Sequence, residues 1–106
     1  MAGNNMDPIQ VEHRSGATHV TLAATVGIAE ARVLHETLGL LLLHQTSLEF
    51  HSDRLQRIDA AAMQVLAAFC VTVRKRGQRL IWQEPSASLR EAVTLLGLES
   101  AFGFTS

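Results

Sequence analysis

The sequence predicts an α/β fold of element order β-β-α-β-α-β-α, with a mixed sheet and helices mainly on one face. Three observations predict it: short runs that alternate apolar and polar residues, longer runs with a 3.6-residue period between them, and turn residues at the joints. A length of 106 residues suits one domain. Apolar residues at 47% against charged residues at 18% supply a core and exclude a disordered chain.

Residues 1–8 read as a polar tail ending at Pro8, and 9–106 as a single domain. Ile9 to His13 alternates as a half-buried strand, Arg14-Ser15-Gly16 reads as a turn, and Val20, Leu22 and Ala24 alternate with His19, Thr21 and Ala23 in a hairpin partner. From Ile28 to about His44 the period becomes helical, with Ile28, Ala31, Leu34, Leu38, Leu41 and Leu42 on one side and Glu30 in the first turn. Val33, Leu40 and Leu43 fall on the other side, where either a neighbouring helix packs or two copies of the domain meet as a homodimer.

Thr46 to Phe50 alternates again, and a loop over 51–58 leads to Asp59 and a second helix ending near Arg76, with Gly77 as its stop. Arg79 to Gln83 forms the fourth strand, with Leu80 and Trp82 on one face. Ser88 and Glu91 have capping-box spacing for a third helix, and Gly97-Leu98 closes it. Glu99 to Phe104 is a short closing segment. A hairpin gives antiparallel pairing and the strand-helix alternation gives parallel pairing, so the sheet is mixed. Polar residues at alternate strand positions leave one sheet face without helices.

Composition removes several function classes. A net charge of -1 argues against a general nucleic-acid binder. Cys70, the one cysteine, excludes an internal disulfide and fits a reducing cytoplasm. The first residues lack the basic and apolar regions of a signal peptide, and Ala2 removes myristoylation. No apolar run reaches membrane-spanning length; the nearest, Ala60 to Val71, is short and broken by Gln64. A soluble cytoplasmic protein without membrane insertion is the expectation.

Nor do reactive groups converge along the chain. The histidines His13, His19, His35, His44 and His51 have no ligand spacing, with His13 and His19 expected on a solvated strand face, so no metal site is assigned. The seven glycines are scattered, no serine sits in a nucleophile elbow, and Cys70 falls on an apolar helix side. No catalytic residue and no cofactor is expected. Arg74, Lys75 and Arg79 belong to a basic run that complements a helix C-terminus; the sharper reading is an anion-binding patch in a sensor of small anionic ligands or nucleotides. Trp82 has no aromatic companion nearby in sequence and reads as a core residue rather than a base-stacking platform.

The second helix is the informative segment. Of the fourteen residues Ala60 to Val73, only Gln64 and Thr72 are not apolar. Ala62, Leu66, Phe69, Cys70 and Val73 cluster on a side that faces the sheet. Ala60, Gln64, Ala67 and Val71 lie opposite, flanked by Met63, as an exposed stripe of small apolar residues suited to a protein partner. With Ala67 outward, Ala67→Arg is expected to abolish binding and leave the fold intact. The opposing expectation is that the first or third helix covers the stripe.

These residues resemble a family. Leu48-Glu49-Phe50, a short loop, Ile58-Asp59-Ala60-Ala61-Ala62 and the apolar helix are similar to the signature region of STAS domains. Ala24 to Ala31, Gly77-Gln78-Arg79-Leu80, Ser88-Leu89-Arg90 and Leu95-Leu96-Gly97-Leu98 with Phe102 extend the likeness over about residues 9 to 104. The family comprises bacterial anti-sigma factor antagonists and relatives that include the STAS subunit of lipid-asymmetry ABC transporters. The resemblance implies a module that binds a protein partner, an anti-sigma or histidine-type kinase or an ABC ATPase; with the exposed stripe at the start of the second helix, the residues expected to bind it are Asp59, Ala60, Met63, Gln64, Ala67 and Val71. In the antagonist branch a serine after the signature aspartate is phosphorylated, and the added charge expels the partner. Here Asp59 matches the aspartate, but Ala60 and Ala61 stand where hydroxyl residues belong and Ala62 where glycine does. The switch lacks its acceptor, and Asp59 reads equally well as a helix N-cap.

Overall fold

The computed structural model describes residues 8–104, in the order β1 (Ile9–Arg14), β2 (Ala17–Leu22), β3 (Thr25–Val26), α1 (Ala31–Leu41), β4 (Ser47–His51), β5 (Arg57–Ile58), α2 (Ala60–Lys75), β6 (Leu80–Gln83), α3 (Ala87–Leu95) and α4 (Glu99–Phe102). The tail expected over residues 1–8 lies outside the described residues except for Pro8, which is buried and whose carbonyl accepts a hydrogen bond from Ala23 N–H at 2.9 Å.

β1 and β2 form the hairpin, with Ile9 opposite Leu22 and Arg14 opposite Ala17. Its two-residue loop puts Ser15 (φ 54°) and Gly16 (φ 77°) in the left-handed region, as the twist of a tight hairpin demands. β4 then pairs in parallel with β2, and β6 in parallel with β4, giving the order β1-β2-β4-β6. Parallel neighbours need crossovers, which α1 and α2 supply. The result is the mixed α/β sheet the alternation predicts.

Strand alternation sorts the two sheet faces. Val20, Leu22, Leu48 and Phe50 are buried and meet Leu34, Leu38 and Leu41 of α1, Leu66, Phe69 and Val73 of α2, Leu89 and Val93 of α3, and Phe102 of α4 in one core. The opposite face carries Glu12, His19 and Glu49 in one row across the sheet, and Gln10, Thr21, His51 and Gln83 in the next. Among the described residues all four helices pack toward the apolar side.

Several local expectations change. The first helix begins later than Ile28: residues 28–30 form a turn of 3-10 helix, and Glu30 Oε1 accepts from Gly27 N–H at 2.7 Å. The cap of α3 is Ser86, whose Oγ accepts from Leu89 N–H at 3.1 Å, and not Ser88. Gly97 (φ 67°) does end α3 in a Schellman turn, with Leu98 N–H bonded to Val93 C=O at 2.9 Å. β3 and β5 were not legible as strands; they make a separate two-stranded parallel sheet of two residues each, too short to show a period. Trp82, expected without aromatic company, stands among Phe50, Phe102 and Phe104 at ring-centroid distances of 4.8, 5.5 and 5.9 Å. Phe102 and Phe104 reach it from the closing segment, so its role as a partly buried core residue holds.

Candidate functional site

The start of α2 is built from three short segments. Asp59 follows β5 in an extended conformation at the N-cap position (φ -83°, ψ 158°). Its side chain does not cap its own helix: Oδ2 accepts from Ile28 N–H at 2.8 Å, tying α2 to the 3-10 turn. Asp59 N–H donates to Val26 C=O at 3.0 Å, and its C=O accepts from Met63 N–H at 3.0 Å. Gly27 sits against this tie, because a Cβ there would lie 3.1 Å from Glu30 Oε1 and 3.4 Å from Asp59 Oδ2. The bond holds Ile28 beside Asp59 with its side chain 71% exposed. On the other flank a shallow cleft lined by Asp59, Ser88, Glu91 and Ala92 carries Leu95, 77% exposed. The polar N-terminus of α2 is thus bordered by two large apolar side chains that face solvent.

Along α2 the core side is as the wheel predicts: Ala62, Leu66, Phe69, Cys70 and Val73 are buried. The outward side is rotated. Ala60, Gln64, Ala68, Thr72 and Lys75 are exposed, and Ala61, Val65 and Val71 half-buried. They span an arc of about 140° at 100° per residue. Ala67 lies just outside that arc and is only 6% exposed, and Met63 is fully buried. Both were expected at the surface, and both are corrections. The cause is the packing of other elements against α2. Arg74, two helical turns beyond Ala67 on the same stripe, donates from Nη1 to the carbonyls of Ser100 at 3.1 Å and Ala101 at 2.7 Å. The closing segment is thus bonded to the C-terminal half of α2, and Met63 and Ala67 belong to the same core as Leu89 and Val93 of α3 and Phe102 of α4. Toward α1, Val65, Ala68 and Thr72 face His35, Leu38 and Leu42 across a groove of about 120 Å³.

The three cations of the anion-binding reading have different surroundings. Arg74 is committed to the C-terminal carbonyls of α4. The cleft beside it takes Arg90 as its second cation, along with Trp82 and Phe104, and neither Lys75 nor Arg79 lines it. Lys75 and Arg79 are exposed. Cys70 is inert: burial pushes its thiol up to about 11, against weaker opposing effects of Arg74 and the Trp82 indole. That indole N–H is buried without an oxygen or nitrogen acceptor.

The histidines depart further from expectation. His13 and His19 lie on opposite faces of the sheet, since His13 pairs with Thr18 and His19 with Glu12. His13 is exposed and its Nδ1 hydrogen-bonds Thr18 Oγ1 at 2.9 Å, whereas His19 is only 8% exposed and meets His51 of the neighbouring strand. Spacing along the chain could not reveal a meeting made by strand register.

Comparison with known proteins places this geometry. No curated protein matches the chain. Among solved structures, an anti-sigma factor antagonist from Mycobacterium paratuberculosis superposes with a TM-score of 0.71 at 17% identity, over 96% of this chain and 87% of its own. The Bacillus cell-fate determinant SpoIIAA in its phosphorylated form gives 0.69 at 14% identity, over 87% and 86%. SpoIIAA in its unphosphorylated form gives 0.67 at 12%, over 82% of each chain. At such identities these likenesses speak for the fold. Sequence speaks for the family: the model described as "Mlab, STAS domain" matches residues 9–103. With nearly the whole described chain inside that match, and a mixed sheet covered by helices on one side, the protein belongs to the STAS domain family.

Proposed function

We propose that this STAS domain is a non-catalytic adaptor that docks a protein partner through the N-terminal half of α2 and carries no phosphorylation switch there. The observation that carries the reading is the surface around Ala60. An exposed alanine opens α2, Ile28 and Leu95 border it, and Gln64 and Ala68 continue the exposed arc. Small side chains let a partner backbone approach closely, and the two flanking apolar residues offer the kind of anchors that dominate interfaces. Of the residues expected to bind, Asp59, Ala60, Gln64 and Val71 remain available, while Met63 and Ala67 act from beneath as support.

Two partner classes fit. The first is a kinase of the anti-sigma type, in keeping with structural neighbours named as anti-sigma factor antagonists. The second is an ATPase of a lipid-transport ABC system, with this chain as an accessory subunit, since such subunits belong to the STAS family that the chain resembles. Ala60 and Ala61 leave the position after Asp59 without a hydroxyl, so a partner would be held rather than released by phosphorylation at that point. The sensor reading is weaker, because Arg74 already serves the carbonyls of α4.

The test is capture from lysate of the source cell, comparing wild type with Gln64→Arg, with mass spectrometry of the bound proteins. A kinase or an ATPase that wild type retains and the variant loses supports the adaptor and names its class. Equal capture by both, or none by either, removes this surface as the docking site.

A further inference from the structure

We infer that the helix-free face of the sheet holds a binding site for one divalent transition-metal ion of the zinc type, formed by His19, Glu49 and His51. The site is independent of the docking surface on α2. Strand register brings it together. His19 of β2 is directly paired with Glu49 of β4, and His51 follows Glu49 by two residues on the same face.

The donor atoms converge. His19 Nδ1 and His51 Nε2 are 3.0 Å apart, and His19 Nδ1 lies 3.9 Å from Glu49 Oε1. All three donors fall within 4.8 Å of one another. Metal–ligand bonds of about 2.0–2.2 Å in a tetrahedral shell place neighbouring donors roughly 3.3 Å apart, between the 3.0 and 3.9 Å separations of His19 from its two neighbours. Side-chain rotations that turn the two imidazole nitrogens and the carboxylate, all within 4.8 Å of one another, toward one point complete the shell. The imidazoles lie nearly edge to edge, with centroids 5.3 Å apart, ring planes 15° from parallel and facing nitrogens 3.0 Å apart. In the metal-free protein one ring donates its N–H to the other. A metal replaces that shared hydrogen once the donating ring carries its proton on its other nitrogen.

The surroundings are those of a prepared site. His19 is nearly buried, and its hydrogen-bonding partner there is a second imidazole. Gln83 Nε2 donates to Glu49 Oε1 at 3.1 Å, which orients the carboxylate as an outer-shell partner does. Glu12, opposite His19, is paired with Arg14 at 3.2 Å, so the protein supplies three ligands and leaves a position open. A cleft of about 250 Å³ opens beside His51, lined also by Thr21, Asp53, Arg14 and Arg54. Two imidazoles and one carboxylate suit zinc or its late first-row neighbours, not calcium or magnesium, which prefer oxygen throughout.

The experiment is a calorimetric titration of Zn²⁺ into the full-length, tag-free protein after chelator treatment, with Co²⁺ absorption as a report on geometry. We expect one ion per chain and ligand-field bands of a four-coordinate site. His51→Ala and Glu49→Gln, both at half-buried positions, should each weaken binding by roughly tenfold or more, with the circular dichroism unchanged. His44→Ala is the control: His44 stands by His13 with ring centroids 5.9 Å apart, on another part of the surface, and should bind as wild type. Absence of saturable binding, affinity unaltered in His51→Ala and Glu49→Gln, or loss in His44→Ala instead would overturn the assignment.

Discussion

Ala67 and Gln64 sit three residues apart on α2, yet a few tens of degrees of rotation separate a buried position from an exposed one. Arginine at Ala67 must enter a nearly fully buried position in the core. Ala67→Arg is therefore expected to destabilise the fold by at least about 2 kcal/mol, through overpacking and a buried charge, whereas Gln64→Arg should stay within about 0.5 kcal/mol of wild type in urea titrations. The wheel identified the core side of α2 correctly, because Leu66, Phe69 and Val73 are large and apolar. It misjudged Ala67 because an alanine is at home on either side, and only the packing of the other elements against α2 decides. Cys70 gives a second residue-scale prediction. Its thiol is held protonated in the folded state, raised from 9.0 to about 11, while in the unfolded chain it ionises at the lower value. Stability from this group is thus fully present below pH 9 and falls as pH rises from 9 toward 11, on the order of 2 kcal/mol in total. The chain has no tyrosine and a single lysine, Lys75, so few other groups titrate in that window. Cys70→Ala should flatten the decline of the denaturation midpoint over that range; an equal decline in the variant would assign it elsewhere.

At the scale of elements, the clearest case is the start of α3. Ser88 and Glu91 have the spacing of a capping box, but the helix begins two residues earlier, where Ser86 Oγ caps Leu89 N–H. Ser86 N–H in turn donates to the buried Ser52 Oγ at 3.2 Å, joining the start of α3 to the end of β4. Ser86→Ala should cost about 1 kcal/mol in thermal or chemical unfolding and Ser88→Ala little, and the reverse ranking would restore the sequence-based cap. Elements with long periods were legible: β1, β2, β4, β6 and the three longer helices lie where alternation or helical spacing put them. The small sheet of β3 and β5 was not. Two residues carry no period, and its existence depends on a pairing between segments about thirty residues apart. The same limitation hid the tie from Asp59 to Ile28. The aspartate was recognised at the N-cap position, but its side chain serves a different turn.

For the whole molecule, one-sided coverage of the sheet separates two surfaces. The helical side offers the arc of α2 bordered by Ile28 and Leu95; the bare side gathers His19, Glu49 and His51. The helical side was legible in outline because amphipathic periodicity marks which helix faces are in excess. Val33 and Leu40 of α1 and Leu43 just beyond its end are exposed, so no neighbouring helix among the described residues covers that side. The bare side was illegible because its residues come from β2 and β4, and no spacing along one strand encodes their register. Among the described residues no helix is long and apolar enough to cross a membrane. The adaptor reading rests on the first of these surfaces. Its most direct test is the affinity of the captured partner, measured by interferometry for wild type, Gln64→Arg, Ala60→Asp and Leu43→Arg. Asp at position 60 suits a helix N-terminus, so it adds charge to the surface without loss of the fold. The account predicts that Gln64→Arg and Ala60→Asp each weaken binding by roughly tenfold or more, the loss of one interface anchor. Leu43→Arg just beyond α1 should bind as wild type. Wild-type affinity in the two α2 variants, with loss in Leu43→Arg, would contradict the account and move the interface to α1.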